Sequence, residues 1–224
     1  MRVALRWLMV AVLLALALFV ALGPRPDTDP DTEPDTGPDP AGAGPPGRSM
    51  DLNQLRARAA LQPCPAPAAE DAAATAAPVP VGPLAGVVLP CLGTAGSVDL
   101  GAALAGRPAL LNLWGPLCRP CAEEVPALAR YAAEPGAVPV LGVEVQQLPE
   151  GALDMLSTLG VHYPSVSDPD GRLRGALQAP PVLPLSFVVS ADGHVSQVTP
   201  PSVLRSPEQV RAVVHRYLGP GATG

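Results

Sequence analysis

The chain has 224 residues, 20 of them acidic and 14 basic, for a formal net charge of -6. Six of the acids (Asp27, Asp29, Asp31, Glu33, Asp35 and Asp39) lie in one Pro-rich tract, which leaves 14 acids against 14 basic residues elsewhere, so the acidity belongs to a segment and not to a surface. No Lys/Arg cluster and no aromatic-rich stripe is present to neutralise phosphates or stack bases, which excludes a nucleic-acid partner. With only two Trp, three Tyr and two Phe, the core has to be built from Val, Leu and Ala.

The chain opens on an apolar run. From Val3 to Leu22 the sequence is long enough to cross a hydrocarbon layer as a helix, and Arg2 and Arg6 stand on its amino side. The positive-inside rule then puts the N-terminus in the cytoplasm and the rest outside it, which makes residues 1–23 a single-pass anchor in the cell membrane. The competing reading is a cleaved signal peptide, for which the small residues at the apolar run's end fit poorly. No Cys follows the run as a lipid attachment site. Residues 24–50 alternate Asp, Thr, Gly and Pro and are expected to form an extended spacer. Residues 51–83 form a Pro/Ala-rich lead-in with a short helix between Asp51 and Leu61, and a domain is expected over 84–219, with a tail at 220–224.

Within that domain, Gly86–Leu92 and Ser97–Leu100 read as a hairpin, and Asp99 caps a short helix. Ala109–Trp114 is a run of the kind found in buried strands, broken by Gly115-Pro116. A helix is predicted from Cys118 to about Ala133, a strand over Val138–Val145, a helix over Pro149–Gly160 and a strand over Tyr163–Ser167. The stretch Asp168–Gly171 is a turn. Leu185–Ser190 and His194–Val198 form a second hairpin, and Ser206 caps a last helix over Glu208–Leu218. The alternation predicts an α/β fold with a central mixed sheet of four or five strands flanked by helices.

Cys118-Arg119-Pro120-Cys121 is the chemically informative element, because it follows a buried strand and opens a helix. A zinc site would need two further ligands at compatible spacing, and the sequence offers none, so no metal is assigned. At a helix N-terminus free amides and the helix dipole favour a thiolate, and Arg119 adds to that bias. Cys118 is therefore the expected nucleophile toward a partner disulfide. Cys121, one turn later, is expected to resolve the mixed disulfide.

The string N-L-W-G-P-L-C-R-P-C-A-E-E-V-P, residues 112–126, resembles the active-site segment of membrane-tethered disulfide reductases of the TlpA/ResA type. The resemblance covers about residues 86–218 and implies a thioredoxin fold with an N-terminal hairpin and an inserted helix-strand unit. It places Trp114 before the motif, Pro120 within it, Pro126 as a helix-kinking proline and Pro184 in the loop whose cis-proline faces the cysteine pair. It also implies that Glu124 handles the Cys121 proton, since Asn112 stands where cytoplasmic thioredoxins carry a buried Asp; Glu123 fits a solvated helix position. The sequence departs from the family at Leu117, where Trp is common, and at Pro116. The function implied is an extracytoplasmic thiol-disulfide oxidoreductase, a reductase of protein disulfides supplied by a membrane thiol donor, monomeric and without cofactor, with a role in cytochrome c maturation. Alternatives are a disulfide-forming oxidase and a thioredoxin-fold copper metallochaperone. In an oxidising compartment Cys64 and Cys91 are expected to form a structural disulfide, the alternative being a second redox pair that relays electrons to Cys118 and Cys121. His162, His194 and His215 lack partners at metal or catalytic spacing and read as surface groups.

Overall fold

The computed structural model describes residues 51–66, 82–200 and 202–219. The expected span at 3–22, the spacer at 24–50 and the tail at 220–224 lie outside the described residues, as does the part of the lead-in over 67–81. Among the described residues no helix is long and apolar enough to cross a membrane.

A five-stranded sheet in the order β5-β4-β3-β6-β7 forms the centre. Its strands are β3 (Ala109–Trp114), β4 (Val140–Glu144), β5 (Ser165–Ser167), β6 (Leu185–Val189) and β7 (Val195–Gln197). β3 runs parallel to β4, and β4 to β5, whereas β6 is antiparallel to β3 and to β7. A separate hairpin, β1 (Val88–Pro90) with β2 (Ser97–Asp99), completes the strands. It is joined to the edge strand β5 through the Cys91–Val166 bridge and the Leu92 N–H, which donates to the Ser165 carbonyl at 2.8 Å. That junction covers backbone groups an edge strand would otherwise expose.

All six residues of β3 are buried, because apolar clusters lie on both of its faces. Strand alternation sends Leu110, Asn112 and Trp114 one way and Ala109, Leu111 and Leu113 the other. Leu110 and Trp114 join the cluster built with α1 (Leu52–Ala59), α3 (Arg119–Ala132), α4 (Pro149–Thr158) and α6 (Pro207–Leu218). Ala109, Leu111 and Leu113 join the cluster under the hairpin, α2 (Leu100–Leu104) and α5 (Arg172–Ala176). A mostly apolar run is what such two-sided burial favours, and Asn112 is the single polar residue in it.

The helix ends follow their caps. Asp99 Oδ1 accepts the Ala102 N–H at 3.0 Å and Ser206 Oγ accepts the Gln209 N–H at 3.3 Å. α5 is absent from the sequence expectation, which has only a turn there. It is five residues long, contains Gly175, and takes its amino-terminal support from Asp168, whose carboxylate accepts the N–H groups of Leu173 and Arg174 at 3.2 and 3.0 Å. The lead-in helix α1 packs on α4, and Leu55, Ala59 and Leu61 belong to the same core as the sheet.

Candidate active site

β3 ends at Trp114, and the turn Gly115–Leu117 delivers the chain to α3 with Cys118 as its N-cap. Cys118 Sγ accepts the backbone N–H of Cys121 at 3.2 Å, so the sulfur lies at the helix's amino end among its free amides. Cys118 and Cys121 are joined by a disulfide. Cys121 has no exposed surface, whereas Cys118 retains 9%. Arg119 and Pro120 follow at the exposed rim, and Pro126 sits inside the helix.

Glu124 lies one turn beyond Cys121 and is fully buried. Its Oε2 accepts the Asn112 amide at 2.7 Å and its Oε1 accepts the Leu204 N–H at 2.7 Å. Burial pushes its pKa up from 4.5 to about 7, against the opposing pull of these two donors and of the Arg205 charge. Glu123, its neighbour, pairs with Arg205 at the surface. Asn112 donates a second hydrogen bond, to Ser186 Oγ at 3.2 Å, which ties β3, α3 and β6 together below the disulfide.

The Leu183-Pro184 peptide bond is cis. Pro120, Pro184, Ser186, Val198 and Leu204 line a groove of about 250 Å³ that runs from the helix start to the loop before α6. Leu117, 77% exposed, and Val182, 56% exposed, stand beside these two segments as large apolar groups in solvent. Three buried polar atoms in this region, Asn112 Oδ1, Trp114 Nε1 and the Tyr163 hydroxyl, have no hydrogen-bond partner among the described residues. The Tyr163 pKa is raised, by burial first and by the Glu124 charge second.

Cys64 and Cys91 form the other disulfide, on the side of the hairpin. His162 Nδ1 meets the Ala59 carbonyl at 2.9 Å, tying α1 to the loop after α4. His194 is exposed and His215 half-buried. Among the described residues no group of three or more His, Cys, Asp or Glu side chains is placed to hold a metal ion. The chemistry available is thus that of a dithiol at a helix terminus, next to a carboxylate that titrates near neutrality.

Residues 87–198, half of the chain, match the AhpC/TSA family. The chain belongs to the AhpC/TSA family. Within the thioredoxin-fold proteins, this AhpC/TSA domain is similar to the thiol-disulfide oxidoreductase ResA of Bacillus subtilis, with 29% identity over 126 residues, 54% of this chain and 66% of that one. It is 43% identical over 70 residues to the thiol:disulfide interchange protein DsbE of Xylella fastidiosa, covering 31% of this chain and 35% of that one. The chain therefore spans between about a third and two thirds of the length of these relatives. Among solved structures it resembles a secreted Mycobacterium tuberculosis disulfide oxidoreductase homologous to E. coli DsbE, at 26% identity and a TM-score of 0.51, over 58% of this chain and 95% of that one. The fold is the thioredoxin fold.

Ser186, Leu204 and Gln146 were not singled out in the sequence. Leu204 acts through its backbone 80 positions from Glu124, and Gln146 meets Leu117 29 positions away. Neither contact leaves a local signal.

Proposed function

We propose that the protein is an extracytoplasmic thiol-disulfide oxidoreductase that reduces protein disulfides. The observation that carries this is the Cys118–Cys121 disulfide at the amino end of α3, with Glu124 buried one turn further on. In the reduced protein the Cys118 thiolate attacks a substrate disulfide, forming a mixed disulfide and releasing one substrate thiolate. Cys121 then gives its proton to the Glu124 carboxylate and attacks Cys118 Sγ. The internal disulfide forms, the second substrate thiolate leaves, and two electrons have passed to the substrate. Arg119 at the helix start favours the thiolate, and Trp114, Pro120 and Pro184 shape the ground around it. A dithiol donor at the membrane restores the reduced state, with residues 3–22 holding the catalytic domain, as a monomer, at the outer face. Cys64 and Cys91 act as a staple.

The groove beside Pro184, together with exposed Leu117 and Val182, supports docking of an extended apolar segment of the substrate. The relatives support the reaction class, through the names thiol-disulfide oxidoreductase and thiol:disulfide interchange protein.

Insulin reduction coupled to a dithiol should be lost in Cys118→Ser, while Cys121→Ser should accumulate a mixed disulfide. A reduction potential near that of thioredoxin, about -270 mV, supports the reductase direction; one near -120 mV makes the protein an oxidase.

A further inference from the structure

Two loops meet beside the disulfide: residues 115–118, from β3 into α3, and residues 145–148, from β4 into α4. They touch through Gln146. Its Oε1 accepts the backbone N–H of Leu117 at 2.9 Å. Its Cδ, Oε1 and Cγ lie so close to Gly115 that a Cβ there would stand 2.3 to 2.4 Å away, so the turn and the side chain interlock only because residue 115 is glycine.

Gln146 is itself held from behind. The Glu144 carboxylate, fully buried at the end of β4, accepts the N–H groups of Gln146 and Leu148 through Oε1, at 2.6 and 3.3 Å. Its Oε2 accepts the Ser167 hydroxyl at 3.2 Å. Within the reactive turn, the Cys118 N–H donates to the Gly115 carbonyl at 3.1 Å. The load path is thus β5 to Glu144, Glu144 to Gln146, and Gln146 to the amide directly before Cys118.

We propose that Gln146 is a positioning residue: by holding the Leu117 N–H it fixes the turn that sets the Cys118 sulfur at the amino end of α3, and so sets how readily that sulfur becomes a thiolate. This rests on Cys118 being the attacking thiol. The stabilisation a helix end gives to an anion fades within its first turn, so small changes in where the sulfur sits change what it feels. The Cys121 N–H, at 3.2 Å from Cys118 Sγ, is the donor most exposed to such a change. A neutral amide also suits the place. A carboxylate could accept the same bond, but it would put a like charge next to the developing thiolate. The same hydrogen bond holds Leu117 facing outward, where a docking partner meets it.

The test is the pH dependence of Cys118 alkylation in the full chain, read in a Cys121→Ser background so that Cys118 is the single thiol outside the Cys64–Cys91 disulfide. Gln146→Leu removes the acceptor at nearly constant length. Gly115→Ala drives the Gln146 side chain away without altering it. Both leave the charges of Arg119, Glu124, Glu144 and Arg205 in place, so a shift reports geometry. Each variant should raise the alkylation midpoint by about half a pH unit, equivalent to roughly threefold slower reaction below the midpoint. Because both break one hydrogen bond, the double variant should shift no further than either alone. A midpoint unchanged in Gln146→Leu, or shifts that add in the double variant, would overturn the proposal. Alkylation needs no disulfide substrate. A chain that fails to reduce insulin while its thiol titrates as described would sink the functional reading and leave the positioning role standing.

Discussion

Glu124 is the residue on which proton handling and stability meet. Its carboxyl titrates near pH 7 in the folded protein, against an ordinary value of 4.5, because burial outweighs the Leu204 and Asn112 donors. Between these two values the folded chain keeps a proton that the unfolded chain has released. The linked stability is therefore full below about pH 4.5 and is lost as pH rises through about 7, a loss of roughly 3 kcal/mol. Glu124→Gln removes the titration. Urea unfolding of the oxidised protein at pH 4.5 and pH 8 should show wild type losing stability relative to Glu124→Gln by about that amount. Parallel pH dependences in the two proteins would mean that Glu124 ionises without feeling its burial. In the proposed reaction the same shift suits Glu124 to its role, since a carboxylate with a pKa near 7 can take the Cys121 proton and return it to solvent at neutral pH.

At the scale of the element, β4 shows how closely the strand next to the site is packed. Gly142 pairs with Asn112 on β3 and Ser165 on β5. A Cβ there would lie 2.5 Å from Ser165 Oγ, 2.9 Å from Trp114 Nε1 and 3.0 Å from Tyr163 Cε2. Gly142→Ala should cost about 1 to 3 kcal/mol in urea unfolding, because two of the three neighbours are rings locked in the core. The strands and long helices of this domain were legible in the sequence, because they are written locally: an apolar run interrupted only by Asn112 for β3, Cys118 ahead of a helical pattern, Ser206 as a cap. The resemblance, together with a spacing of three from Cys121, pointed to Glu124 rather than Glu123, and Glu124 is the buried one of the two. What the sequence did not disclose depends on distant partners. The tight fit at Gly142 needs β5 and Trp114 in place, and the Gln146 bond needs two loops brought together. α5 is the local exception: it is five residues long with Gly175 inside, too short for a helical pattern, and is supported by Asp168 across a turn.

For the whole molecule, the element to weigh is the lead-in that arrives before Leu84. Its ties to the domain include Leu55, Ala59 and Leu61 in the core, the Gln62 N–H on the His162 carbonyl at 2.7 Å, His162 Nδ1 against the Ala59 carbonyl at 2.9 Å, the Arg56 Nε on the Leu92 carbonyl at 3.1 Å, and the Cys64–Cys91 disulfide. A bridge spanning 27 positions removes chain entropy from the unfolded state worth about 3.5 kcal/mol. The Cys64→Ala/Cys91→Ala protein should therefore unfold at lower urea by about that free energy, and a fragment beginning at Leu84 should be weaker still, having also lost the buried leucines of the lead-in. The rate at which a dithiol donor reduces the Cys118–Cys121 disulfide tests the staple role of this second pair against a relay, since the potential of the active pair is the same under both. A staple leaves that rate where it was in the Cys64→Ala/Cys91→Ala protein. A relay makes that reduction slow or absent in the same protein, and lets Cys121→Ser trap a disulfide between Cys118 and Cys64 or Cys91. The staple predicts the stability loss alone, with the rate of insulin reduction unchanged at temperatures where both proteins are folded.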